Sequence, residues 1–351
     1  MTEIFSQRLK AARLVLGFSQ KELSDKVNIS KQAISKYEKG LMLPNSVLLI
    51  QFTNVLKRKP DYFFRPFQTT LDKVDFRKKS RLSGKRLAAL KAIIADKLER
   101  YLELESILGI DEVFKNAIEN IKIKNFEDVE NAVKQLLIEW NLGDNPMPNI
   151  IELLENKHIK VIEIDGEKYQ DFDGLSAYVN DKIPVIVINQ QHDIIRKRFT
   201  ILHELGHLLL SIPDEATQKE KESYCNRFAG AMLIPKSQIQ QELGLKRTRV
   251  AIQELIELKE YYGISIAALV YRANDLGIIS DYKANQFWKQ RNQNIQLKKE
   301  IGFGNYEGKE HSGRFEQLLY KALAEELITL NKAAVLAEKD LEFIRNSLKL
   351  I

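Results

Sequence analysis

At 351 residues the chain has room for two or three domains with cores of their own, and its single cysteine, Cys225, excludes an internal disulfide framework. No signal peptide and no apolar run of membrane-spanning length is visible, so a soluble, cytoplasmic protein is expected. The net charge of +6 is uneven: residues 1–65 hold 12 Lys and Arg against 5 Asp and Glu, and the remainder 42 against 43, which puts a phosphate-binding surface at the N-terminus.

Five short helices are expected within residues 1–66. Phe5, Leu9, Ala12 and Leu16 mark one face of the first, and Gly17 ends it. Ser19-Gln20-Lys21-Glu22 has the form of a capping box and opens a second helix with Leu23 and Val27 inward. Asn28 falls at a turn that needs left-handed φ, and Ser30 caps a third helix. With Ile34 and Tyr37 inward, that helix presents Lys31, Gln32, Ser35 and Lys36. Such a face suits a DNA major groove, where glutamine bonds the edge of adenine and lysine the phosphates.

The pattern Ser19-Gln20-x-x-Leu23-Ser24-x-x-x-Asn28-Ile29-Ser30-x-x-x-Ile34-Ser35-x-x-Glu38-x-Gly40, with Pro44 beyond, is similar to the XRE family of helix-turn-helix proteins, the Cro and lambda-repressor type. Asn28 stands where that family usually has glycine. The resemblance implies binding to a double-stranded DNA operator, with Gln20, Ser30, Lys31, Gln32, Ser35 and Lys36 as contact candidates. A module of this size covers one half-site, so a homodimer on a near-palindrome is expected.

Residues 67–110 read as a linker with the basic run Arg77 to Arg86, followed by a long helix from about Leu87 to Leu108. Its stripe of Leu90, Ile94, Leu98, Tyr101, Leu102, Glu105 and Leu108 suits packing on the next domain or on a second subunit. From residue 111 to 280 a further domain is expected. It has helices Val129 to Trp140 and Ile150 to Glu155, a strand Ile159 to Ile164, and a hairpin of Gly174 to Val179 and Pro184 to Ile188 around Asn180-Asp181-Lys182. A sheet before the next helix commonly offers its edge to an extended peptide. Tyr178 on the first hairpin strand is a candidate oxyanion stabiliser and equally a packed strand residue.

The chemistry is stated by His203-Glu204-Leu205-Gly206-His207. Histidines four apart on a helix share a face, so both imidazoles reach one Zn²⁺, and the glutamate beside the first is placed to take a proton from metal-bound water. Ile201, Leu202, Leu205, Leu208 and Leu209 make the helix apolar nearly all round, and buried imidazoles there need a ligand to satisfy them. A third protein ligand is required. Leu210 and Pro213 occupy the places of a glycine and a third histidine, which leaves Asp214 and Glu215 in the following turn or Glu222 on the next helix. The spacing gives the chain room to bring that helix back, which favours Glu222. Cys225, mid-helix, reads as a small buried residue rather than a nucleophile.

The stretch Arg198-Phe199-Thr200-Ile201-Leu202-His203-Glu204-Leu205-Gly206-His207, followed by Glu222-x-x-Cys225-Asn226-x-Phe228-Ala229 and Leu233-Ile234-Pro235, resembles the ImmA/IrrE family of bacterial metallopeptidases. Leu202 and Cys225 stand where that family usually has alanine. The resemblance runs from about Trp140 to Ser280 and implies zinc held by His203, His207 and Glu222, with Glu204 as general base. It also implies a protein substrate such as a repressor, cut after a stress or induction signal. Beyond Ser280, Phe287, Trp288 and helices Phe315 to Leu327 and Lys332 to Leu348 suggest a helical module over 281–351.

The fold expected is mainly α with a small β-sheet: a five-helix DNA-binding bundle, a linker helix, a zincin-like metallopeptidase domain and a helical C-terminal module. The function expected is a DNA-binding transcriptional regulator with a zinc-dependent endopeptidase domain. The alternative is an antitoxin or repressor whose peptidase-like domain binds a partner toxin.

Overall fold

The computed structural model describes residues 2–65 and 84–347, apart from positions 168, 170, 171 and 181. The N-terminal bundle consists of α1 (Thr2–Val15), α2 (Gln20–Lys26), α3 (Lys31–Glu38) and α4 (Ser46–Leu56), and its fifth turn is a 3₁₀ helix, Pro60–Phe64. The local signals act as expected. Ser19 and Glu22 form a reciprocal capping box, Ser30 accepts from the Ala33 N–H, and Asn28 takes φ 52° at the turn between α2 and α3. Phe5, Leu9, Leu23, Ile34, Tyr37, and Phe52 close a small core of their own.

A helix of 24 residues, α5 (Gly84–Ile107), joins this bundle to the rest. Its apolar stripe is consumed within the chain. Leu90, Ile94 and Leu98 pack on one face of the sheet, and Tyr101 and Leu104 pack on the C-terminal helices. Glu105 pairs with Lys160. The stripe is therefore covered by its own chain and is not available as the subunit interface that its sequence also allowed. Residues 77–83 of the basic run lie outside the described residues.

Next come α6 (Phe126–Glu139), α7 (Ile150–Asn156), β1 (Lys160–Ile164), β2 (Gly174–Val179), β3 (Ile183–Asn189), α8 (Ile194–Leu209) and α9 (Gln218–Leu233). The sheet order is β1-β3-β2, with β2 antiparallel and β1 parallel to β3. Period-two alternation divides its side chains. Leu175, Ala177, Val185 and Val187 face α5, while Ile186 and Ile188 join the large core under α8. The result is three layers, α5, sheet and α8, with β2 as the edge strand that lies along α8.

Helices α10 (Lys236–Leu243), α11 (Ile252–Tyr262), α12 (Ile266–Asp275), α13 (Asp281–Gln293) and α14 (Ile295–Lys299) follow. Packing on the large core continues past residue 280, since Ala284 is buried in it and Phe287, Trp288 and Phe303 pack against it. Helices α15 (Arg314–Ala324), α16 (Leu330–Ala337) and α17 (Leu341–Ser347) instead form a smaller cluster with the end of α5. The single helix expected from Lys332 to Leu348 is broken. Glu338 adopts φ 52° there, and its carboxylate pairs with Arg100 at 3.1 Å and with Arg58 of the N-terminal bundle. Among the described residues no helix is long and apolar enough to cross a membrane.

Candidate metal centre and nucleic-acid interface

α8 and α9 form the tightest helix pair around the site, and Gly206 is why they approach. A Cβ at Gly206 would meet the Cys225 Cα at 3.3 Å, so a side chain there would push the α9 backbone away. Thr217 starts α9 with a capping box closed by Glu220, and one turn on, Glu222 comes level with the two histidines. His203 Nε2 and His207 Nε2 are 3.2 Å apart, and Glu222 oxygens lie 3.3 Å from the first and 3.5 Å from the second. Four-coordinate zinc with bonds of about 2.0–2.1 Å sets neighbouring donors about 3.3–3.4 Å apart. The donor set fits a zinc ion in chemistry and in spacing. Asp214 and Glu215, the other carboxylates considered, are exposed in the turn after α8 and do not join the cluster.

Both imidazoles are held from behind. His203 Nδ1 lies 2.8 Å from Asn226 Oδ1; with the amide oxygen accepting, Nδ1 carries the proton and the Nε2 lone pair faces the cluster. His207 Nδ1 lies 3.2 Å from Cys225 Sγ, so the buried cysteine is a partner of a candidate ligand as well as a space filler. Glu204 is buried and turns toward β2, where the Ser176 hydroxyl donates to its Oε2 at 2.8 Å. Gly174 makes room for that approach, since a Cβ there would come within 2.7 Å of Thr200 and 3.2 Å of the Glu204 Cγ. The roles of Asn226 and Ser176 escaped the sequence reading: Asn226 was named only within the family pattern, one helical turn beyond Glu222, and nothing local marks Ser176.

Tyr178 donates its hydroxyl to the Leu208 carbonyl at 3.2 Å. Burial, and then the Glu119 carboxylate, push its ionisation above the ordinary tyrosine range, so it stays a donor to that carbonyl. In this arrangement Tyr178 fastens β2 to α8, which favours the packed-strand alternative over oxyanion stabilisation.

Behind α9, Glu130 accepts from Arg227 and from Arg272 at 2.9 and 3.0 Å. Burial would raise the Glu130 carboxyl, but hydrogen bonds and charge from Arg272, with those from Arg227, outweigh it and hold the group below the usual carboxylate range. Ahead of the histidines, Arg198 is fully buried and donates to the carbonyls of Met147, Gly263 and Tyr262, and it pairs with Glu310. Glu310 in turn accepts from the Ile150 and Ile151 N–H groups at the start of α7.

In the N-terminal bundle, Lys31, Gln32 and Lys36 are exposed on α3, and Ser35 is half-buried beside them. Two of the other contact candidates have internal duties. Ser30 caps α3, and the Gln20 amide donates at 2.8 Å to Glu38, which also receives Arg13. Gln20 is thereby tied to the base of α3.

Residues 9–63 match the family model for helix-turn-helix, and residues 154–274 match that for the IrrE N-terminal-like domain. Over 69 residues the chain is 30% identical to the SPbeta prophage-derived uncharacterized HTH-type transcriptional regulator YonR of Bacillus subtilis (strain 168), covering 20% of this chain and 64% of that protein. Over 56 residues it is 36% identical to the HTH-type transcriptional regulator ImmR of the same organism, covering 16% and 44%. The chain thus spans less than two thirds of either relative's length. On one polypeptide, a segment that matches the helix-turn-helix model thus precedes one that matches the IrrE N-terminal-like domain.

Proposed function

We propose that the protein is a DNA-binding regulator whose IrrE/ImmA-like domain is a zinc endopeptidase acting on a repressor or other regulatory protein. The observation that carries this reading is the convergence of His203, His207 and Glu222, all donor atoms within 4.8 Å, with Glu204 adjacent on the same helix. Zinc held there would acidify a water molecule and polarise a substrate carbonyl. Glu204 accepts the water's proton and returns it to the leaving amine, with its carboxylate oriented by Ser176. The outer edge of β2 pairs with no other strand among the described residues, which leaves its main chain able to hold an extended substrate beside Glu204.

Metal analysis of the purified protein tests the centre. One zinc per chain is expected in the wild type, with loss in Glu222→Ala and retention in Asp214→Ala. The reverse pattern would show the third ligand to be misassigned. Co-expression with a repressor encoded beside the gene then tests the reaction. A metal-loaded protein that cuts no neighbouring regulator under any inducing condition, yet binds a neighbouring toxin, would favour the antitoxin alternative.

For the N-terminal domain, a homodimer on a near-palindromic operator is proposed, with α3 in the major groove. Gln32→Ala is expected to cost roughly 1–3 kcal/mol of base discrimination. Lys36→Ala is expected to weaken specific and non-specific binding alike and to lower the salt slope by about one. A salt titration on DNA from upstream of the gene measures both. Binding that ignores both substitutions would take α3 out of the groove.

A further inference from the structure

Helix α9 brings more to the metal-donor cluster than one carboxylate. Glu222, Cys225 and Asn226 stand at i, i+3 and i+4, on one face of the helix, and that face meets both histidines of α8. Glu222 approaches the two Nε2 atoms from the front. From behind, Asn226 Oδ1 lies 2.8 Å from His203 Nδ1, and Cys225 Sγ lies 3.2 Å from His207 Nδ1. The close approach of the helices at Gly206 is what lets so short a side chain as cysteine reach across.

The two rear partners differ in chemistry. An imidazole that binds a metal through Nε2 carries its proton on Nδ1, and an acceptor placed there fixes both the tautomer and the direction of the ring. Asn226 offers an amide oxygen, whereas a thiol sulfur is a weak acceptor and can also act as a donor. A proton donated by the Cys225 thiol would move the His207 proton to Nε2 and take that nitrogen out of the donor set. The 3.2–3.5 Å spacing of the three donors instead suits both Nε2 lone pairs turned inward. Cys225 is wholly buried and the His207 side chain is only 9% exposed, so bulk water is poorly placed to take over from the sulfur. This contact is particular to the chain, since the ImmA/IrrE pattern that it resembles usually has alanine at position 225.

We infer that Cys225 is a positioning residue for His207, its sulfur accepting from Nδ1–H, and that the two histidines are gripped unequally, His203 firmly and His207 loosely. The inference rests on the metal-centre reading above and adds to it which ligand yields first and what sets its hold.

Two measurements on the full-length protein test it. Competition with a chromophoric chelator gives the affinity for zinc. Proton NMR of the cobalt(II)-loaded protein gives the tautomers, because the Nδ1–H of each bound imidazole yields one strongly shifted, exchangeable signal. The wild type is expected to show two such signals, one exchanging with solvent faster than the other. Cys225→Ala is expected to weaken zinc binding about tenfold and to broaden or remove the faster signal alone. Asn226→Ala is expected to remove the slower signal and to cost more, up to about a hundredfold. Cys225→Ser restores an acceptor, and an oxygen accepts better than sulfur; its zinc affinity should return to the wild-type value or exceed it, with the faster signal slowed. That variant carries the test should Cys225→Ala not fold. Weaker zinc binding by Cys225→Ala with both signals unchanged would mark a packing effect and overturn the inference, as would unchanged affinity in that variant, or exchange unaltered in Cys225→Ser. Two equally slow signals in the wild type would overturn the unequal grip. A wild-type protein that takes up neither zinc nor cobalt would remove the metal-centre reading itself.

Discussion

Glu204→Gln is expected to leave the protein folded and loaded with one zinc while hydrolysis falls by about 10² to 10⁴. The amide keeps the size of the carboxylate and can still accept from Ser176 at its oxygen, but it cannot take up the proton of the attacking water. The measurement is a pair: zinc content, and the rate of appearance of cleaved repressor on co-expression. Undiminished cleavage by this variant would remove Glu204 from the mechanism. Loss of zinc along with activity would instead make it part of the metal-binding set.

The largest stability effect is expected at Glu310→Ala, far along the sequence from the histidines. Arg198 and Glu310 are both fully inaccessible as side chains, and the carboxylate also satisfies the first amides of α7. Its removal strands a guanidinium in the interior and orphans two N–H groups, a combination that costs about 3–5 kcal/mol. Urea denaturation followed by circular dichroism would show the midpoint fall accordingly. Glu310→Gln, which keeps an acceptor but loses the charge, should fall between the wild type and Glu310→Ala, and a loss of stability under about 1 kcal/mol for Glu310→Ala would mean that Arg198 is satisfied by its carbonyl partners alone.

These two residues also show what was legible in the sequence. The N-terminal bundle could be read almost helix by helix because its signals are local: the cap at Ser19, the turn at Asn28 and the apolar spacing of Ile34 and Tyr37. The histidine pair was equally plain, since four residues of helix suffice to state it. Glu222 needed a resemblance as well as a spacing argument, because a carboxylate in a charged run carries no mark of its partner. Ser176, Asn226 and Glu310 gain their roles only when strands and helices distant in sequence meet, and an isolated serine, asparagine or glutamate announces none of this. The break at Glu338 is of the same kind, since the helical pattern runs through it and the ion pairs that hold its left-handed turn come from Arg58 and Arg100.

Helix α5 has a thermodynamic consequence. It pairs through Glu99 with Arg8 and through Asp96, at 3.0 Å, with Arg58 of the N-terminal bundle, and its own leucines complete the cores of the sheet and of the C-terminal helices. Loosening it uncovers one face of the sheet and the C-terminal helices together and breaks ion pairs to the N-terminal bundle, which keeps an apolar core of its own. The sheet and the C-terminal helices are therefore expected to unfold together. By mass action, a ligand bound only by the folded sheet-bearing part would then secure the C-terminal helices as well, by RT ln(1 + [L]/Kd), about 2.7 kcal/mol at a hundredfold excess over its Kd.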